Sequence, residues 1–323
     1  MELKGIHHVS ALTKNAEKNY HFYTSVMGMR LIKKTVNQDD ISVYHLFYGD
    51  GIGTPGTEFT FFEIPNAGRA HPGTNSISET SLRVRTDAAL DYWKNRFARF
   101  SINHGQITER FGRKVLPFTG FEEQRLLLVS DESEEGTVQG SPWVLSPVPP
   151  EYGIVGLGPV KLTVTDLEAT SGILSSLLGF SKKGTFPSIF PGQRDIEVYE
   201  TGGGGIGAEV HLEERKDLPK ERLGRGGVHH VAFRVSDEQE MMQWINKVQA
   251  AGIPNSGFVD RFYFRSLYFR EPNGILFELA TDGPGFATDE ELEHLGESLA
   301  LPPFLEEKRP IIEAKLKPLK TKK

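Results

Sequence analysis

Four segments of this 323-residue chain begin alike, with a short apolar-alternating strand, a polar capping pair and then a stretch of helical periodicity. The strands are GIHHVSALT, ISETSLRVRT, GLGPVKLTV and GVHHVAFRV, spaced roughly 70–80 residues apart, a repeat that constrains the fold more than any single motif. The capping positions fall at Thr13–Asn15, Thr86-Asp87, Thr165-Asp166 and Ser236-Asp237, residue types that accept hydrogen bonds from the orphan amides of a helix start. Helical stretches follow over residues 16–27, 88–100, 167–178 and 238–251, the second carrying Leu90, Trp93 and Phe97 on one side, the fourth Met241, Trp244, Ile245 and Val248. Gly28, Gly179 and Gly252 directly follow three of them, where a left-handed helix end favours glycine.

Strand-like runs fill the rest of each unit. They include SVYHLFYGD and TEFTFFEI in the first and RFYFRSLYFRE and ILFELAT in the fourth, the last two flanking the turn Pro272-Asn273-Gly274. The order strand, helix, then about three strands therefore recurs four times. One such unit cannot bury both its helix and its sheet, so the expected class is α+β, with units pairing into two cup-shaped half-barrels. Residues 1–140 hold the first two units (about 1–70 and 71–140), the proline-rich 141–153 is the expected linker, 154–283 hold units three and four, and 284–323 form a tail broken by Pro302-Pro303. The tail is expected either to dock on the surface or to lie across a pocket. The acidic run from Asp131 to Glu135 and the tract Gly202–Gly205 read as loops; a strand rather than a helix follows the glycines, which argues against a phosphate cradle.

Composition narrows the chemistry. A net charge of −6 offers no footprint for nucleic acid or an anionic membrane, and no apolar run reaches the ~18 residues of a membrane span. The absence of cysteine excludes disulfides, thiolate nucleophiles and thiolate metal sites, so any metal must sit among nitrogen and oxygen ligands. We read a cytoplasmic protein, with homodimerisation through exposed sheet edges as a compatible arrangement.

The doublet His7-His8 in the first unit returns as His229-His230 in the fourth, and Glu278 closes the fourth in the apolar frame ILFEL. Two imidazoles and a carboxylate, each on a strand, can hold one face of an octahedral ion and leave the other positions open. Strict alternation lets only one histidine of each doublet face a given cup: His8 with Ile6, Ser10 and Leu12, or His7 with Val9. Parity alone does not choose between them. An unpaired Glu278 would be costly to bury, which a metal relieves; the plainer reading pairs it with Arg261 or Arg270. Glu63, in the frame Phe62-Glu63-Ile64, resembles Glu278 in its frame and is a candidate fourth ligand. Arg261 can neutralise an oxyanion and Tyr268 can hydrogen-bond or protonate one. The aromatic stretches Phe59–Phe62 and Phe262–Phe264 are candidates to wall a flat apolar pocket; the remaining histidines, His45 among them, show no partner pattern.

Taken together, GIHHVSALT, RLIKKTVNQDD, YHLFYGDGIGTPGT, GVHHVAFRV, DRFYFRSLYFREPNGILFELATDGPGF and LGESLALPPFL resemble the vicinal oxygen chelate superfamily, the glyoxalase/bleomycin-resistance/extradiol dioxygenase fold of βαβββ modules. Within it the chain is most similar to the hydroquinone-type ring-cleaving dioxygenases. That resemblance implies a metal held by His8, His230 and Glu278 in a cup made by modules one and four. It places His7, Ser10, His229, Arg261 and Tyr268 around the metal and the substrate, with Ser10 retaining the hydroxyl of a threonine typical there. The implied activity is Fe(II)-dependent opening of a hydroquinone or catechol-like ring with dioxygen; Mn(II), Zn(II) and Ni(II) are the other ions such ligands take. Two alternatives follow from the same superfamily: a glyoxalase-type lyase or isomerase using Glu63 as fourth ligand, and a resistance protein that sequesters a quinone-like or drug-like compound.

Overall fold

The structure, a computed structural model, describes residues 1–132 and 140–321; the end of the acidic run, 133–135, lies outside the described residues. Each unit has the expected element order. The first comprises β1 (Ile6–Thr13), α1 (Ala16–His21), β2 (Arg30–Asn37), β3 (Asp40–Gly49) and β4 (Glu58–Glu63). The second comprises β5 (Ser76–Val84), α2 (Asp87–Arg99), β6 (Thr108–Arg110), β7 (Arg113–Thr119) and β8 (Arg125–Ser130). The third runs through β9 (Ile154–Val164), α3 (Leu167–Gly172), β10 (Ser181–Phe186), β11 (Ile196–Glu200) and β12 (Glu209–Glu214). The fourth has β13 (Val228–Val235), α4 (Glu238–Ala250), β14 (Val259–Asp260), β15 (Phe264–Arg270) and β16 (Leu276–Pro284).

All four caps form: side-chain oxygens of Asn15, Thr86, Asp166 and Asp237 accept from the amides of Lys18, Ala89, Ala169 and Glu240. The helices then differ. In modules two and four they stay α-helical for 13 residues, whereas α1 and α3 widen into π-turns over Phe22–Val26 and Ile173–Leu177. Gly28, Gly179 and Gly252 end their helices at φ 70°, 79° and 71°, the left-handed conformation predicted for them.

The modules pair first with fourth and second with third. One eight-stranded sheet runs β14-β15-β16-β13-β1-β4-β3-β2, the other β10-β11-β12-β9-β5-β8-β7-β6. In each, the first strands of two modules meet antiparallel at the centre, and each is parallel to the last strand of its own module. Helices cover the outer faces, where Trp93 and Phe97 of α2 and Trp244 and Val248 of α4 are buried in the main core. Burying each such side chain contributes about 1.5–3 kcal/mol. The inner faces form the two cups.

Sheet edges are guarded rather than open. β14 has two residues and β6 three, and β10 presents Lys182 and Lys183. The remaining edge, β2, is covered by the C-terminal segment, which resolves the two expectations for it. Arg30 donates to the carbonyls of Leu292 and Glu293, Lys33 pairs with Asp289 and Glu290, and Lys34 donates to Leu319 O and Thr321 Oγ1. Phe286 and Leu295 of this segment pack with Ile32, Phe47, Tyr263 and Phe264, so the tail also closes one side of the first cup. The proline-rich stretch 141–153 is docked, not free: Ser141 N–H donates to Asp50, Ser146 to Gly28 O, and Tyr152 stacks on Tyr92 at 4.4 Å. Among the described residues no helix is long and apolar enough to cross a membrane.

Candidate metal centre and substrate cavity

Strict alternation fails at both histidine doublets. Ile6 lies opposite Phe233 but His8 opposite Ala232, so His7 is an extra residue in β1; Ser10 lies opposite His230 but Ala11 opposite Val228, so His229 is the extra residue in β13. Each doublet therefore straddles a β-bulge, whose two residues share a side. Ile6, Val9 and Ala11 go together into the core, as do Val228, Val231 and Phe233, and both imidazoles of each pair turn toward the cup. The expectation that His7 would lie beside Val9 is corrected by this bulge.

Three groups then converge at the seam of modules one and four. His8 Nε2 and His230 Nε2 are 3.3 Å apart, and they lie 3.1 and 2.9 Å from Glu278 Oε2. All three residues are buried, Glu278 completely. Glu278 Oε1 accepts from Ser266 Oγ at 2.6 Å, which fixes the carboxylate and aims Oε2 at the imidazoles. The arginines of the plainer reading are elsewhere: Arg261 pairs with Asp39, and Arg270 donates to Gly274 O.

Proton positions follow from the partners. His7 Nε2 is 3.1 Å from Thr281 O, which can only accept, so the proton sits on Nε2. Burial, reinforced by His8, pushes His7 down to about 3, leaving it neutral with a bare Nδ1. His8 Nδ1–H then donates to His7 Nδ1 at 3.0 Å, and His8 Nε2 carries a lone pair. The second doublet repeats the contact, His230 Nδ1 to His229 Nδ1 at 2.8 Å, with His229 pushed down to about 4 by burial and by His230. His230 in the same tautomer leaves His229 with its proton on Nε2. Two imidazole lone pairs and a carboxylate oxygen thus face one another, and Glu278 Oε2 has no hydrogen-bond donor. Such an arrangement calls for a cation. The observed separations match the ~3 Å between neighbouring ligands about 2.1 Å from one octahedral ion. Two imidazoles and one carboxylate, with outer partners at each ring's Nδ1, suit a divalent metal, and His8, His230 and Glu278 form a group able to hold one.

Glu63 is not part of it. At the end of β4 it shares the core face with Phe59 and Phe61, and its Oε1 accepts from Ala16 N–H at 2.9 Å, satisfying the start of α1. A period of two along β4 turns Glu63 away from the cup, which corrects the fourth-ligand expectation. Phe59 and Phe61 are likewise core residues, while Phe62 and Phe264 wall the cavity.

That cavity, about 550 Å³, opens above the three groups. Arg261 Nε donates to Tyr268 Oη at 3.2 Å, and its two terminal nitrogens reach Asp39 at 3.2 and 3.0 Å. Burial and the nearby Glu278 raise Tyr268, which stays a neutral phenol. Ser10 is on the opposite wall, its Oγ 2.7 Å from Thr60 Oγ1, which in turn lies 3.0 Å from His45 Nε2. His45, Thr60, Ser266 and Asp39 were not identified from sequence. Parity could have found His45, which alternates with the core residues Tyr44 and Leu46 of β3 and so shares the cup face with Phe47.

Comparison with known proteins accords with this geometry. The model of the Glyoxalase/Bleomycin resistance protein/Dioxygenase superfamily matches residues 5–114 and 156–279. A Bacillus subtilis (strain 168) protein named "Putative ring-cleaving dioxygenase MhqA" is 53% identical over 99% of this chain and all of its own length. The chlorohydroquinone/hydroquinone 1,2-dioxygenase of Sphingobium indicum is 30% identical, covering 94% of this chain and 93% of that one. Among solved structures, a "putative dioxygenase" from Bacillus subtilis subsp. subtilis str. 168 has a TM-score of 0.90 at 33% identity, covering 100% of this chain and 99% of that one. Glyoxalase I from Zea mays, with a TM-score of 0.64 at 13% identity over 87% of this chain and 93% of that one, shares the fold. The chain belongs to the glyoxalase/bleomycin resistance protein/dioxygenase superfamily, and within it to the ring-cleaving dioxygenases.

Proposed function

We propose that this protein is a cytoplasmic, Fe(II)-dependent dioxygenase that opens the ring of a hydroquinone or a catechol-like aromatic. The observation that carries the reading is the convergence of His8, His230 and Glu278 on one point at the cavity floor, with Glu278 Oε2 lacking a donor. A divalent iron held there would acidify a substrate phenol and supply electrons to dioxygen. A relative matched over 93% of its length is named a chlorohydroquinone/hydroquinone 1,2-dioxygenase, which supports the substrate class.

The chain's own residues do the rest. Phe62, Phe264 and Leu276 offer apolar surface to a flat ring, and burial of the cavity floor excludes bulk water from the reacting atoms. Arg261, on the side of Tyr268, supplies positive charge and an N–H where an oxyanion develops, and Tyr268 Oη is the nearby proton donor. His229 is neutral and on the cavity wall, where its Nε2–H can donate a hydrogen bond to a substrate oxygen. His7, fully enclosed, fixes the tautomer of His8 through its contact with Thr281 O.

The test is oxygen uptake by protein loaded anaerobically with Fe(II). Hydroquinone should consume one dioxygen per ring opened, whereas methylglyoxal with a thiol should give no turnover. Glyoxalase turnover without oxygen, or ligand capture with no reaction, would reject the reading. The glyoxalase alternative required Glu63 at the metal, and Glu63 is at the start of α1 instead.

A further inference from the structure

The wall of the cavity opposite Tyr268 and Arg261 carries a polar row that crosses three adjacent strands. Ser10 on β1, Thr60 on β4 and His45 on β3 are linked by contacts of 2.7 and 3.0 Å. His45 ends the row. Its ring is clasped between Phe47 and Phe62 at centroid distances of 4.0 and 4.1 Å, which fixes its plane. Nε2 is taken by Thr60, whereas Nδ1 has no partner among the described residues and is not enclosed by protein; the ring lines the cavity. An imidazole held this rigidly has one direction in which to make one hydrogen bond, and that direction is into the substrate space.

We propose that His45 is a specificity-determining residue: Nδ1 hydrogen-bonds a hydroxyl on the substrate ring remote from the one at the metal, selecting diols over simple phenols. This deepens the dioxygenase reading and rests on it. β3 lies two strand spacings from β1, about 10 Å, the scale of a single ring held between the His8 end and His45. Burial pushes His45 well below its ordinary value, so the ring meets its ligand uncharged. A neutral imidazole suits a neutral hydroxyl and gives no charge to a carboxylate or phosphate substituent. The Thr60 hydroxyl has one proton for two neighbours. When it donates to Ser10, His45 Nδ1 is an acceptor; when it donates to His45, Nδ1 is a donor. A phenolic hydroxyl can answer either state, while a methyl group of the same size answers neither.

The experiment compares anaerobic binding of hydroquinone and 4-methylphenol by calorimetry, using metal-loaded wild-type protein, His45→Phe and Thr60→Val. Wild type should prefer hydroquinone by about tenfold or more. His45→Phe, which keeps an aromatic ring in the Phe47–Phe62 clasp, should bind the two about equally, with affinity for 4-methylphenol within about twofold of wild type. Thr60→Val keeps volume but releases Nε2, and should reduce the preference at least threefold. A wild-type preference retained in either variant overturns the proposal, as does a wild-type protein indifferent to the second hydroxyl. Failure of the underlying reading has a separate signature: no oxygen uptake by the Fe(II) wild type with hydroquinone or catechol.

Discussion

The two cups share a strand order yet solve the problem of buried charge in opposite ways. In the second cup, made by modules two and three, the buried Glu209 and Glu213 and the half-buried Glu79 each have a protein cation. Arg113 holds Glu209 through contacts of 2.7 and 2.8 Å, Lys161 lies 3.4 Å from Glu213, and Arg110 is 2.8 Å from Glu79. Glu79 faces Lys161 across the central strand pair β5–β9, the counterpart of the β1–β13 pair that carries the histidines. The second cup encloses about 640 Å³, comparable with the first, so size does not separate them. What separates them is that the first cup puts two imidazoles and a carboxylate at its seam and, among the described residues, no lysine or arginine pairs with that carboxylate. A closed set of ion pairs makes a structural centre; the same position left short of a cation makes a chemical one.

The strongest way to break this contrast is His230→Ala. Elemental analysis should show metal content falling from near one per chain to near none, and ring opening should fall by more than the ~100-fold that loss of an outer partner costs. Retained metal would mean that the three groups are not the ligands. In the second cup, Arg113→Met should leave metal and activity per folded molecule unchanged but cost about 3 kcal/mol, the low end for one partner of a buried pair, because Lys183 and His211 still face Glu209. Denaturant titration measures it, and a loss of activity without a loss of stability would erase the distinction between the cups.

Acid sharpens the same comparison. Burial pushes Glu209 upward, but His211 and Arg113 outweigh it and hold the carboxyl down at about 2. A carboxylate whose folded value is depressed binds fewer protons folded than unfolded. Its stabilisation is therefore complete above the unfolded value, near ~4.3, and lost as pH falls toward the folded one. The stability difference between wild type and Glu209→Gln should be flat above pH ~5 and shrink below it. A difference that does not change with pH would show that Glu209 is not held ionised.

The repeat, the caps and the module order were legible because each is written in local periodicity: Asn15, Thr86, Asp166 and Asp237 cap the helices the pattern predicts. The pairing of His8, His230 and Glu278 was legible only through resemblance, since the doublets leave parity undecided. The bulges at His7 and His229 were not legible, because an extra residue in one strand exists only relative to its partner. The path of the tail was hidden for a related reason: Arg30 and Lys34 bind it mainly through backbone carbonyls, which any sequence offers. Glu63 misled because its sequence frame matches that of Glu278, while its position along β4 turns it to the other face. Glu63→Ala should accordingly cost about 1 kcal/mol, as loss of a helix-start acceptor does, with metal content unaltered; a fall in metal would return it to the site.

The smallest expected effect is at the mouth of the first cup, where Asp39 from the β2–β3 turn reaches across to Arg261 of module four. Asp39 is 72% exposed, so water and salt weaken its hold on a guanidinium that is only 22% exposed. Exposed pairs of this kind are worth ~0.2–1 kcal/mol, up to about fivefold in an equilibrium. Asp39→Asn should therefore raise KM for hydroquinone two- to fivefold and leave kcat nearly unchanged, because Tyr268 still accepts from Arg261 Nε. Repeating the assay in ~1 M salt, where the screening length is near 3 Å, should bring wild type and variant closer together. A loss of a hundredfold, or one that salt does not diminish, would place Asp39 inside the reacting machinery and move the boundary of the chemical cup outward to its rim.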